Sequence, residues 1–150
     1  MTETRTESLP AIPVGQALGQ AVGQAQTILT RLLTGVLAET RTPRETYLAL
    51  LRMSVHGDSL QRDRYVRDLS DSLGLDLWAA GELADGMLDA GLLTLAGETI
   101  RLADAGAELR ERTRRSVGTV TAPLYEGLDP ADIETTVRTL QDITSRAREL

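Results

Sequence analysis

The sequence predicts a mainly α fold of one domain that carries a single small β-hairpin. Three observations support this. Apolar residues recur at alternating spacings of three and four along most of the chain. Gly, Pro and Asp stand where those stretches begin and end, and one segment only, residues 92–103, reads as a pair of short strands. A chain of 150 residues can bury about two-thirds of its unfolded surface in one core, without a disulfide or metal staple.

Residues 1–13 are rich in Thr and Glu and hold two prolines, so they are expected to form a disordered arm. Order is expected from Val14, because Val14, Leu18, Ala21, Ala25, Ile28, Leu32 and Val36 draw an apolar stripe down one long helix. Such a stripe is a helix-pairing seam. Gly15, Gly19 and Gly23 lie four apart on the same helix, where a second backbone could approach closely or where the repeat means nothing more than low complexity. Thr42-Pro43-Arg44-Glu45 reads as a capping box that opens a second helix to about His56. Gly57-Asp58-Ser59 breaks it, and a third helix carries Tyr65, Val66, Leu69 and Leu73 on one face before Gly74. Asp76 is placed to cap a fourth helix to about Ala90, with Ala80, Leu83, Ala84 and Met87 on its buried side. Residues 92–95 and 100–103 form the hairpin around Ala96-Gly97-Glu98-Thr99. Asp104 then caps a fifth helix, interrupted near Pro123 and Gly127, and Asp129-Pro130 opens the last. Ile133, Val137, Leu140, Thr144 and Ala147 repeat there at coiled-coil spacing, a face that calls for another chain to cover it.

Composition removes several classes of chemistry. All 16 basic residues are Arg, and against 22 acids they leave a net charge of −6, which argues against attachment to nucleic acid or anionic lipid by bulk charge. Any such contact must come from a local patch. With no Cys and the single His56, neither a structural zinc site nor a thiol nucleophile is expected, and no metal or cofactor is assigned. Neither a signal peptide nor a span is visible, so a cytoplasmic location without membrane contact is expected. No phosphate loop or Ser-His-Asp spacing occurs. The nearest approach to an enzyme site is His56 with Asp58, near Tyr47 and Tyr65. A His at a helix end interacts well with the helix dipole without any catalysis, and this reading is preferred.

The element order, two helices, a helix-turn-helix, a hairpin and two C-terminal helices, resembles the MarR family of winged helix-turn-helix regulators over residues 14–150. The most specific stretch runs from Leu69-Ser70-Asp71-Ser72-Leu73-Gly74-Leu75 through Met87 to Gly91-Leu92-Leu93. Leu102-Ala103-Asp104-Ala105-Gly106 with Leu109 is similar to the family pattern that follows the wing, with Ala in place of Thr. The resemblance implies a winged helix-turn-helix lobe at 41–103, and long N- and C-terminal helices at 14–40 and 104–150 that form a dimerisation domain. It also implies operator DNA as a partner and a small apolar or aromatic ligand in the gap between lobes and dimer helices, lined by Tyr47, Leu51, Val55, His56 and Tyr65.

Two features depart from the family. Residues 76–90, which include the recognition helix, carry Asp76, Glu82, Asp85 and Asp89 and no Arg, a poor surface for phosphates although a carboxylate can accept from cytosine. The wing is short, with Glu98 near its tip and Arg101 set back in its second strand. DNA contacts are therefore expected from Arg62, Arg64 and Arg67 at the start of the third helix, with Trp78, Glu82 and Arg101. Arg110, Arg112, Arg114 and Arg115 are expected as a solvated face paired with Glu108 and Glu111. A dimeric regulator with weakened DNA reading is the leading interpretation. A divergent protein that keeps the pocket but not the DNA follows it, and an enzyme comes last.

Overall fold

The computed structural model describes residues 13–150, so the arm expected over residues 1–13 lies, except for Pro13, outside the described residues. In chain order the elements are α1 (Val14–Thr40), α2 (Arg44–Val55), β1 (Ser59–Gln61), α3 (Arg62–Leu73), α4 (Leu77–Asp89), β2 (Leu93–Ala96), β3 (Thr99–Leu102), α5 (Asp104–Tyr125) and α6 (Pro130–Arg148). None of these helices is long and apolar enough to cross a membrane.

The core lies in the lobe. Ala49, Leu50 and Met53 of α2 meet Leu60, then Tyr65 and Leu69 of α3, Ala80, Ala84 and Met87 of α4, Leu93 and Ile100. The helical stripes read from the sequence supply Tyr65, Leu69, Ala80, Ala84 and Met87, because side chains three and four apart share a helix face; the α2 residues Ala49, Leu50 and Met53 are not among them. Leu83 alone of the expected α4 face is half-buried.

Several local expectations give way to the structure. β1 makes a third strand, antiparallel to β3 with Leu60 opposite Ile100, so the sheet order is β1-β3-β2. Three residues with one inward side chain are too few for alternation to register in a sequence. The capping box at Thr42 does not form: Thr42 is buried in the α1–α2 corner and its hydroxyl donates to Thr40 O at 3.4 Å, leaving α2 without a side-chain cap. Asp104 sits inside the first turn of α5 instead of capping it, where its charge still suits the helix dipole. Pro123 lies within α5, which continues to Tyr125. One missing N–H near an exposed helix end is tolerated, and the break comes at Gly127 with φ +79°. Asp76 and Asp129 do cap α4 and α6, accepting from Ala79 N at 2.7 Å and Ala131 N at 2.8 Å.

The two ends of the chain are packed differently from the lobe. α1 buries only Val36 and Leu37, and α6 buries nothing. Ile28 and Leu29 of α1, Val120 and Leu124 of α5, and Ile133, Val137 and Ile143 of α6 stay exposed in the single chain.

Candidate nucleic-acid interface and ligand cleft

The helix-turn-helix is closed by a short, well-bonded turn. Gly74 takes φ +68°, a left-handed conformation that costs a residue with a Cβ. Leu75 N donates to Ser70 O at 3.2 Å while the Ser70 hydroxyl donates to Leu75 O at 2.6 Å. These bonds set α4 across α3 and leave Leu77, Trp78, Glu82, Asp85 and Asp89 exposed. Trp78, Glu82, Asp85 and Asp89 stand at i, i+4, i+7 and i+11, so they form one stripe along α4.

Arg62, expected as a DNA contact, also makes bonds within the lobe. Its Nη2 donates to Asp85 Oδ1 at 2.7 Å, crossing α4 beside Gly81, where the absence of a side chain leaves room. Its backbone N–H donates to Glu98 O at 2.8 Å in the wing turn. One of the carboxylates on α4 is thus compensated from α3, a pairing across 23 residues that no local spacing reveals. Arg64 and Arg67 are exposed on α3 and have no ion-pair partner among the described residues. Arg101 is exposed on β3, opposite Ser59 and Thr94. The wing is the tight hairpin expected, turning through Gly97 at φ +61° and Glu98.

The five residues assigned to a ligand gap are distributed over different environments. Tyr65 is fully buried in the lobe core and donates to Ala49 O at 2.9 Å. Burial pushes its phenol up, far from any neutral-pH role. Tyr47 is buried too, Leu51 and His56 are half-buried, and Val55 points out at 64% exposure. His56 Nε2 lies 3.3 Å from Asp68 Oδ1, and that carboxylate already accepts from Arg52 Nε at 2.8 Å and Nη2 at 2.6 Å. Asp58, the other member of the possible general-base pair, is held by Arg110 through bonds of 2.6 and 2.9 Å. Both carboxylates are committed to structure. No group of three or more potential metal ligands occurs among the described residues.

The basic run of α5 is correspondingly divided. Arg114 pairs with Glu111 at 2.9 Å as expected, whereas Arg110 turns inward, clamps Asp58 and also donates to Leu50 O at 3.2 Å. Arg110 thereby ties α5 to the turn after α2. Hydrogen bonds from Arg110 hold Asp58 below the ordinary carboxylate range, and those from Arg52 do the same for Asp68. Groups with depressed folded values stabilise fully above their unfolded values and lose that contribution as pH falls through the folded ones. The thermal midpoint should therefore hold from pH 7 to about 5 and fall below about pH 4. Asp68→Asn should lower the midpoint at pH 7 and flatten the acid limb, and an unaltered limb would contradict this assignment.

A cleft of about 500 Å³ opens elsewhere between the lobe and the long helices. Its floor includes Leu83, Met87, Leu92 and Leu109, and Arg41, Glu82 and Arg112 stand among its polar lining. Sequence reasoning missed it because its walls come from the α1–α2 corner, α4 and α5, segments distant in the chain. Arg112 was legible only as one charge in a run.

Neither a protein-family model nor a curated protein matches the sequence. The similarity lies in the fold. A MarR-family transcriptional regulator from Rhodococcus sp. RHA1 superposes with a TM-score of 0.69 at 19% identity, over 88% of this chain and 95% of that one. Ligand-free NadR gives 0.72 at 15% identity over 89% and 99%. CouR from Rhodococcus jostii RHA1, in a complex with p-coumaroyl-CoA, gives 0.70 at 19% identity over 85% and 91%. The chain has the MarR winged-helix fold. In the terms of the MarR fold, α3 and α4 are the helix-turn-helix, β2 and β3 the wing, and the cleft lies where the lobe meets the long helices.

Proposed function

We propose that the protein is a MarR-like dimeric transcriptional regulator that contacts operator DNA through α3, α4 and the wing, with atypical reading. The observation that carries this reading is the exposed α4 stripe, with Arg64 and Arg67 exposed on the adjoining α3 and Asp85 neutralised by Arg62. A helix-turn-helix places its second helix in the major groove and takes its affinity from phosphate contacts around it. The uncovered apolar faces of α1, α5 and α6 support pairing of two copies through their terminal helices, an arrangement that sets two recognition helices at a fixed spacing.

Ligand control rests on the cleft. An apolar floor with Arg41 and Arg112 nearby suits a small aromatic or aliphatic molecule with an anionic end. Glu82, Leu83, Gly86 and Met87 line the cleft from α4 itself, so an occupant presses on the recognition helix directly. CouR, similar in fold, is seen with p-coumaroyl-CoA, which supports a ligand of this kind. The remaining acids of α4 favour a second reading, in which the fold binds a ligand or partner and no longer reads DNA.

One titration separates them. Binding of the full chain to duplex DNA should weaken steeply with salt, and Arg64→Ala with Arg67→Ala should lower the log–log slope by about two. Benzoate, as a probe for the cleft, should lower the affinity in the wild type. No binding at low salt would leave the second reading.

A further inference from the structure

We propose that α4 reads base edges through apolar and acceptor groups, Trp78 packing on the C5 methyl of a thymine and Glu82 accepting from the N4 amine of a cytosine. The proposal rests on the DNA-binding reading above and specifies what that surface selects.

The residues at the start of a recognition helix are those that reach base edges. Here they are Leu77 and Trp78, 60% and 75% exposed. An indole this exposed has no packing role in the lobe core. One turn further along the stripe stands Glu82, at the border between the stripe and the cleft, exposed and without an ion-pair partner among the described residues.

Apart from the indole N–H of Trp78, no exposed side chain of α4 carries a donor at neutral pH. Guanine offers two acceptors, O6 and N7, and its usual partner is a bidentate Arg or Lys. Of the Arg residues near α4, Arg62 is anchored to Asp85 at 2.7 Å, and Arg41 and Arg112 stand in the cleft on the side of the long helices. A thymine instead presents a methyl beside the O4 acceptor, which suits a ring with one N–H at its edge. An ionised carboxylate only accepts, and cytosine N4 is the amine it meets in the major groove. At the wing, Glu98 at the tip is repelled by the minor groove and Arg101 is set back in β3, so the wing contributes backbone contact more than base readout.

Selection of duplexes from a random pool by the full chain at low salt tests this. The account predicts half-sites with a fixed thymine next to a fixed cytosine. Replacing that thymine by deoxyuracil removes only the methyl and should weaken binding about fourfold. Trp78→Ala should abolish the difference between thymine and deoxyuracil. Glu82→Gln should move the second preference from cytosine to adenine by about tenfold. A selected motif indifferent to deoxyuracil, or one fixed by guanines and lost in Arg62→Ala, overturns the inference while leaving the DNA-binding reading intact. A pool that never enriches overturns both.

Discussion

Gly106→Ala is expected to destabilise the protein by about 3 kcal/mol, the upper part of the range for overpacking a closed site. Gly106 is buried in the first turn of α5, and a Cβ there would run into the Leu92 carbonyl oxygen and stand 2.8 Å from Leu102 Cδ1. The Leu92 carbonyl cannot withdraw without loss, since it accepts from Ala103 N at 3.0 Å and closes the base of the wing. The strain falls where α5 leaves the hairpin, so the relative orientation of lobe and long helices is at stake as well as stability. Gly118→Ala in the same helix serves as the control. A Cβ at Gly118 meets nothing within 4 Å, and the change should stabilise by about 0.5–1 kcal/mol through helix propensity. In thermal unfolding the first variant should lose about 6–12 °C and the second gain slightly. Equal midpoints for the two would show that the backbone at Leu92 yields.

Glu82→Arg combined with Asp85→Arg should raise affinity for non-specific DNA by about two orders of magnitude at 0.1 M salt. The pair of substitutions moves the charge of α4 by four units and releases Arg62 from its 2.7 Å ion pair, so three guanidinium groups become available to phosphates. The log–log salt slope should steepen by about three. The same variant should lose sequence preference, because the gain comes from backbone contacts that carry no base information. Stability should change little: both positions are exposed and the Arg62–Asp85 pair is a surface one, contributing at most about 1 kcal/mol. An unchanged affinity would mean that α4 does not face the duplex.

Much of the fold was legible because helical periodicity is a local signal. The stripe through Tyr65 and Leu69, the Asp76 cap and the Gly74 stop all appear in the structure as the spacing implies. β1 was not legible, since Leu60 alone points inward and its partner Ile100 lies 40 residues away. Thr42 shows a further limit. A good cap by residue type becomes a buried corner residue when α1 folds back against the lobe, and burial then decides its hydrogen bond. The site shows the same division. Trp78 and Glu82 were found on the exposed face because that face is the complement of a helical stripe. The Arg62–Asp85 and Arg110–Asp58 pairs are tertiary, so charge counting revealed neither and turned Arg110 outward. Tyr65 looked like a pocket residue, but an aromatic body with one polar tip serves a core equally well when a backbone carbonyl, here Ala49 O, takes the hydroxyl.

Two copies joined by their terminal helices should present two α4 stripes to one duplex. Light scattering of the full chain mixed with a selected duplex at low salt measures this directly. The account predicts a complex of two chains per duplex, and a free protein that is already a dimer until Val137→Arg on α6 splits it. A single chain on the DNA, or a free protein that stays monomeric at micromolar concentration, would contradict it.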